Sequence, residues 1–231
     1  MLEALEPAAP QRAVEELPKV SLLGTAAMLI EAPGPFELAQ QQRIWALADI
    51  VRGWDEVAEA VPGVTNLMVV WRMLPDDVDA ARARLLAAWA DARPRKMSGR
   101  TVEVPVVYGG AGALDMAAVV AHTRLTPREI AEIHSSALYT VCAVGSAPGF
   151  GYLHGLDARL HCPRKAVPSL RVPKGVVSIG GMQTGVSVVT SPNGWNVIGR
   201  ADVEMFDLAR VPPSLLAAGD SVRFVVERVE A

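Results

Sequence analysis

Cysteine is scarce in this 231-residue chain. Cys142 and Cys162 are its only two, too few for a disulfide framework and without the CxxC spacing of a metal knuckle. No apolar run approaches the roughly 20 residues that a membrane helix needs. Excess positive charge is lacking as well: 22 Lys and Arg stand against 25 Asp and Glu, a net charge of −3. That balance argues against a general nucleic-acid binder, which needs a basic surface for phosphates. The opening residues MLEALEPAAPQRAVEELPKV carry Glu3, Glu6, Glu15 and Glu16 and no apolar core, so they do not read as a secretory signal. The expectation is a soluble, cytoplasmic protein with no membrane and no nucleic-acid partner. None of the four lysines follows a glycine, which excludes a phosphate-cradling P-loop. In Tyr108-Gly109-Gly110-Ala111-Gly112 the third glycine of a dinucleotide fingerprint would fall on Asp115, and no GxSxG nucleophile elbow occurs. His154, His161 and Cys162 lie close in sequence but match no zinc spacing, and no metal is expected.

What is present is a globular composition, 51% hydrophobic and 20% charged, in a chain long enough for one large domain or two small ones. Lys19 to Ile30 is an apolar run read as one strand, stopped by Pro33-Gly34-Pro35. From Phe36, Ile44, Leu47, Ala48 and Val51 recur at helical spacing until Gly53. Val57–Val61 and Leu67–Met73 flank the turn signal Pro62-Gly63. Pro75-Asp76-Asp77 opens a second helix with Val78, Ala81, Leu85 and Trp89 on one face, and Arg100 to Tyr108 alternates again. The predicted order is β-α-β-β-α-β, an α+β domain over residues 1–98. Residues 99–231 differ in texture. Two short helical patterns come first, the second opened by Thr126-Pro127-Arg128-Glu129 with its N-cap, early proline and capping-box acid. Short β-rich pieces follow (Val176–Gly180, Val186–Thr190, Trp195–Gly199, Val222–Val229), separated by Gly and Pro as in a barrel or compact β-fold.

Charge is unevenly spread in this second part. Between Asp157 and Asp202 there is no acidic residue, while Arg159, Arg164, Lys165, Arg171, Lys174 and Arg200 are basic. Either this is a solvated or docking face, or it is an anion pocket in which guanidinium forks hold a carboxylate or phosphate. Gly149, Gly151, Gly180, Gly181, Gly185 and Gly194 lie in or beside the tract, where they either let backbone approach a ligand or serve tight turns. His134, in IAEIHSSA, borders the apolar face of its helix. It is either a core histidine satisfied by hydrogen bonds or a general acid/base with an ordinary pKa near 6.5. Gln183 and Tyr152 have bland roles open to them too, in turn hydrogen bonding and core filling.

The stretches APGFGYL (147–153), CPRKAVP (162–168), VPKGVVSIGGMQTGV (172–186) and SPNGWNVIGR (191–200) resemble the family of bacterial 5-oxoprolinase B subunits. That family is also called allophanate hydrolase subunit 1 or KipI-like, and is related to the carboxyltransferase region of urea carboxylase. VPVVYGGAG, IHSSALYTV, AAGDSVRFV, QQRIWALA and VPGVTNLMVV extend the resemblance over nearly the whole chain. It implies a cyclophilin-like β-barrel after the small α+β domain. It also implies a role in ATP-dependent opening of 5-oxo-L-proline to L-glutamate, with ATP (and Mg) bound in the complex. The implied partners are a related C subunit (allophanate hydrolase subunit 2-like) and a further A subunit. His134, Gln183 and Arg164 are the implied catalytic residues. Pro148, Gly149, Phe150, Tyr152, Gly180, Gly181 and Trp195 are implied to bind a small carboxylate substrate. Two other roles stay open within the family: a regulatory protein that inhibits a sensor histidine kinase, and a member of an allophanate hydrolase or urea carboxylase-like complex. The chain departs from the usual family pattern at Ser146-Ala147, Ser169, Ser187-Val188 and Asn193.

Overall fold

The computed structural model describes residues 16–95 and 99–230. The reading of the first 15 residues, and residues 96–98 at the expected domain boundary, lie outside that description. The described chain forms two compact units: the part up to Ala60 with Thr65–Arg93, and Val61–Val64 with the part from Pro94 onward.

In the first unit, strands β1 (Lys19–Leu23), β2 (Ala27–Glu31), β3 (Val57–Pro62) and β4 (Asn66–Trp71) form a sheet in the order β1-β2-β4-β3. Helices α1 (Leu38–Arg52) and α2 (Val78–Asp91) complete it. Ile44, Leu47 and Val51 of α1 and Leu85 and Trp89 of α2 pack with Ile30, Leu67, Val69 and Trp71 of the sheet, the faces expected from their 3.6-residue spacing. Asp77 caps α2 by accepting from the Ala80 N–H at 2.9 Å. Within α1 the fully buried Gln41 accepts from the Thr65 N–H at 2.7 Å, pinning a turn whose Thr65 has φ +56°.

Two expectations are corrected here. The apolar run Lys19–Ile30 is not one strand but an antiparallel hairpin pairing Leu23 with Ala27, because Gly24 turns the chain at φ +63°. The alternating stretch expected to finish this sheet, Arg100–Tyr108, instead forms a barrel strand of the second unit, so the first unit runs β-β-α-β-β-α.

The second unit contains β5 (Thr101–Gly109), α3 (Met116–Thr123), α4 (Pro127–Ser136), β6 (Tyr139–Val144) and β7 (Gly151–His154), then β8 (Ser169–Val172), β9 (Val176–Gly180) and β10 (Gln183–Val186). It ends with β11 (Ser191–Asn193), β12 (Asn196–Arg200) and β13 (Ser221–Glu230). Seven strands close into a barrel, β10-β7-β6-β13-β5-β12-β9, while β8 and β11 pair separately as a two-stranded ribbon. The capping box of Thr126 and Glu129 starts α4 as its sequence signals. The strand expected over Val186–Thr190 is displaced: the ladder ends at Ser187, which still exchanges backbone bonds with Val176 and Gly175, and residues 188–190 are not strand, although Val188 stays buried in the core. Apolar composition alone does not say where such a run leaves its neighbour.

Barrel closure depends on β5 lying parallel to β13, the one parallel pair among the described strands. The two strands start together where Gly99 passes so close to Gly219 that a Cβ on Gly99 would lie 2.2 Å from the Gly219 carbonyl oxygen. Nearly buried Asp220 fixes this corner, one carboxylate oxygen accepting from the Arg100 N–H at 3.1 Å and the other from the Ala217 N–H at 3.0 Å. Replacing Asp220 by Ala strands both donors. The expected loss is about 2–4 kcal/mol of unfolding free energy in the second unit, and Asp220→Asn, which keeps one acceptor oxygen, should lose less. Urea denaturation followed by far-UV circular dichroism measures both.

Candidate functional site

An open cavity of about 340 Å³ lies in the second unit, walled by Phe150, Tyr152 and Trp195, by Arg164 and Lys165, and by the rim residues of 187–194. Glycines mould its aromatic wall. A Cβ on Gly180 would lie 2.4–2.5 Å from the Trp195 indole, and one on Gly185 would lie 3.0 Å from the Phe150 ring. Each bare backbone therefore seats a ring that any side chain would push out. Phe150 meets both other aromatics edge to face, Tyr152 at 5.1 Å and Trp195 at 5.8 Å between ring centroids. Gly149, at φ +84°, belongs to a tight loop closed by the Phe150 N–H to the Ala147 carbonyl and the Gly145 N–H to the Phe150 carbonyl. Gly181, at φ +63°, exchanges two backbone hydrogen bonds with Cys162 and so anchors the segment that carries Arg164. That segment is held further by Asn196, whose amide donates to the Pro163 carbonyl at 2.9 Å, and by the Lys165 N–H to the Gly194 carbonyl at 2.8 Å.

The basic tract does not converge as one patch. Arg159 pairs with Asp157, whose carboxyl is held down at about 2, first by the guanidinium's hydrogen bond. Lys174 pairs with Glu204 and keeps that carboxyl below its ordinary range, and Lys165 pairs with Asp115. Arg171 and Lys174 do not line the cavity. Arg164 does. It makes no ion pair among the described residues, and its guanidinium carbon stands 5.7 Å from the Trp195 ring centroid. An unpaired planar fork beside an aromatic wall suits a carboxylate on a small, flat ligand.

Among the other sequence-predicted residues, Pro148, Gly149, Gly180, Gly181 and Gln183 do not line the cavity; the glycines act through the rings and loops just described. His134 is elsewhere, fully buried in the barrel core. Its Nδ1 lies 2.7 Å from the Tyr108 hydroxyl, and its Nε2 lies 2.8 Å from Thr184 Oγ1. Because Thr184 donates its own proton to the Ser178 carbonyl, Nε2 carries the imidazole hydrogen and Nδ1 accepts from Tyr108. Both ring nitrogens are satisfied, Phe224 packs on the ring at 4.5 Å, and burial pushes the pKa down to about 3. A neutral, enclosed ring has no route to a ligand in the cavity. Sequence reasoning missed Asp115, which it met only as the failure of a dinucleotide fingerprint, and the rim residues Ser146, Ser187, Val188 and Asn193. The rim had a signal: of the positions where the chain departs from the family it resembles, Ser146-Ala147, Ser187-Val188 and Asn193 line the cavity, and only Ser169 does not.

The core histidine and the cavity arginine are each open to test. An unfolded histidine takes up a proton below about pH 6.5, whereas His134 in the folded barrel does so only near 3. Between those values the unfolded state binds more protons. His134 therefore favours folding fully above about pH 6.5 and loses that contribution as pH falls, by up to about 1.4 kcal/mol per pH unit. His134→Gln should be less stable than wild type at neutral pH, and the gap should narrow between pH 6.5 and 4.5 in urea titrations; a constant gap contradicts the assignment. At the cavity, Arg164→Lys keeps the charge but loses the fork. It should weaken carboxylate binding by about 1–3 kcal/mol, read by calorimetry against the wild-type protein.

Comparison with known proteins agrees with this architecture. The family model described as carboxyltransferase domain, subdomain C and D, matches residues 18–216. The 5-oxoprolinase B subunit of Escherichia coli O157:H7 is 44% identical over 207 residues, 90% of this chain and 95% of that protein. The 5-oxoprolinase B subunit of Haemophilus influenzae is 38% identical over 208 residues, 90% and 97% of the two chains. The solved protein TTHA0988 is 31% identical with a TM-score of 0.72; the match covers 89% of this chain but 40% of that longer one. Urea carboxylase of Kluyveromyces lactis shares the fold at a TM-score of 0.76 and 19% identity, over 96% of this chain and 23% of its own. With a family model spanning most of its length and B subunits matched nearly end to end, the chain belongs to the carboxyltransferase subdomain C and D family, in its group of 5-oxoprolinase B subunits.

Proposed function

We propose that the protein is the B subunit of an ATP-dependent 5-oxoprolinase, opening 5-oxo-L-proline to L-glutamate together with a related C subunit (allophanate hydrolase subunit 2-like) and with a further A subunit. The observation that carries this reading is the 44% identity over 95% of the length of a protein named as the B subunit of 5-oxoprolinase. The cavity supports it in its own terms. Its aromatic wall suits one face of a small ring, and Arg164 supplies one unpaired fork for one carboxylate. Opening the lactam adds one water across its C–N bond, and nucleotide hydrolysis consumes a second.

A nucleoside triphosphate does not fit these residues by themselves. The chain has no P-loop, and the single unpaired guanidinium at the cavity cannot offset a triphosphate's several negative charges. In this reading the ATP-binding groups come at least partly from another polypeptide of the complex, and the barrel, taken as cyclophilin-like, supplies the lactam's site. TTHA0988, more than twice this length, supports a unit that works joined to further polypeptide. An ATP-dependent complex of this kind belongs in the cytoplasm. His134 has a structural part, holding Tyr108 and Thr184 together inside the barrel.

The test is co-expression with the neighbouring homologues of the C and A subunits, followed by an assay of ADP release and glutamate formation. The expected result is ADP release that requires 5-oxo-L-proline and all the chains. ADP release indifferent to 5-oxo-L-proline would overturn the reading.

A further inference from the structure

Arg164 and Lys165 are neighbours in sequence and both line the cavity, but they differ electrostatically. Lys165 is largely covered, its side chain 16% exposed, and its ammonium donates to Asp115 Oδ2 and to Ser169 Oγ, each at 2.8 Å. Asp115 is also covered, at 17% exposure, and its same oxygen accepts from the Val197 N–H at 2.9 Å. It stands at the N-cap position of α3 yet makes no side-chain cap there. Its carboxylate is turned instead to the lysine and to β12. An ammonium has three N–H groups; two are engaged, and the third has no acceptor among the described residues. The charge of Lys165 is cancelled by Asp115, whereas that of Arg164 is not. The cavity wall thus offers one net positive charge and, beside it, one directed donor without net charge.

From this we infer that Lys165 is a second ligand-binding group with a task distinct from that of Arg164: it donates its remaining N–H to a neutral carbonyl oxygen of a ligand whose carboxylate lies on Arg164. Asp115 is the positioning residue that sets the direction of the ammonium. The ligand class is a small monocarboxylate that carries a second, uncharged carbonyl. A dianion is disfavoured, because it would set a second negative charge against a lysine already neutralised. This inference rests on the lactam reading above, since 5-oxo-L-proline has one carboxylate and one lactam carbonyl, and it assigns each of them a residue.

The experiment compares 5-oxo-L-proline with cyclopentanecarboxylate, which keeps the ring and carboxylate but lacks the lactam, by calorimetry on the full chain alone and co-purified with its C-subunit homologue. Wild type should prefer 5-oxo-L-proline. Lys165→Met should cost about tenfold or more in affinity for 5-oxo-L-proline relative to cyclopentanecarboxylate, as expected for a charge-assisted hydrogen bond, beyond whatever the stranded Asp115 carboxylate takes from both anions together. Arg164→Met should weaken both ligands alike. Because Lys165→Met strands a covered carboxylate, the Asp115→Asn/Lys165→Met double variant is measured beside it and should show the same loss of preference with better folding. Asp115→Asn alone should reduce the preference and be partly rescued by Asp115→Glu. If Lys165→Met and the Asp115→Asn/Lys165→Met double variant both leave the preference intact, the assignment falls, while turnover of 5-oxo-L-proline by the wild-type complex would leave the functional reading standing. If the wild-type complex shows a Lys165-dependent preference but no turnover, the functional reading falls and the site stands. If wild type binds neither compound, both fall.

Discussion

The second unit depends on one pairing made across 120 residues of sequence. β5 and β13 run side by side in parallel from a corner set by Gly99, Gly219 and Asp220. An open sheet of this size would expose two edges, and closing it removes both. Because a parallel pair cannot be joined by a tight turn, everything between the two strands must be threaded around the ring before it closes. The helices, the ribbon of β8 and β11, and the cavity-bearing loops are all contained in that excursion. The Asp220 carboxylate, which ties together the backbones of Arg100 and Ala217, is accordingly a constraint on the cavity as well as on the barrel.

Inside the ring, buried polar groups are joined in a hydrogen-bonded chain. Tyr108 donates to His134, His134 to Thr184, and Thr184 to the Ser178 carbonyl, while the Tyr139 hydroxyl donates to the His134 carbonyl. Burial raises the Tyr108 and Tyr139 hydroxyls well above the ordinary phenol range and lowers His134, so every member is neutral at physiological pH. A neutral network of this kind orients core side chains without charge-desolvation cost. The cavity works the other way. Its cations are partly solvated and sorted by their counter-charges, Asp115 cancelling Lys165 and leaving Arg164 as the unopposed one.

Local signals in the sequence were the readable ones. Asp77 before α2 and the Thr126–Glu129 box before α4 state their helices outright, since each cap is satisfied within three residues. The Lys19–Ile30 run misled because hydrophobicity is the same on both arms of a hairpin, and only Gly24 marks the reversal. At the site, Arg164 and the three aromatics were legible as residue types within recognisable motifs. The sorting of the basic tract was not, because each cancelling carboxylate other than Asp157 is distant: Asp115 is 50 residues from Lys165 and Glu204 is 30 from Lys174. The spacing of His134 favoured a core histidine and only the family resemblance drew it toward catalysis, as an apolar helix face looks the same whether it ends at a cleft or in a core.

The glycine beneath Trp195 has a consequence for how this wall can change. Since even one carbon at position 180 would overlap the indole, a side chain there forces Trp195 out of its place in the cavity wall. The rim is different: Val189 lies beyond the barrel ladder and is 46% exposed, so its side chain can be exchanged without disturbing a strand, although its neighbour Val188 is held in the core. New ligand preferences in this architecture are open to change at the exposed mouth, while the Gly180–Trp195 contact constrains the wall beneath it.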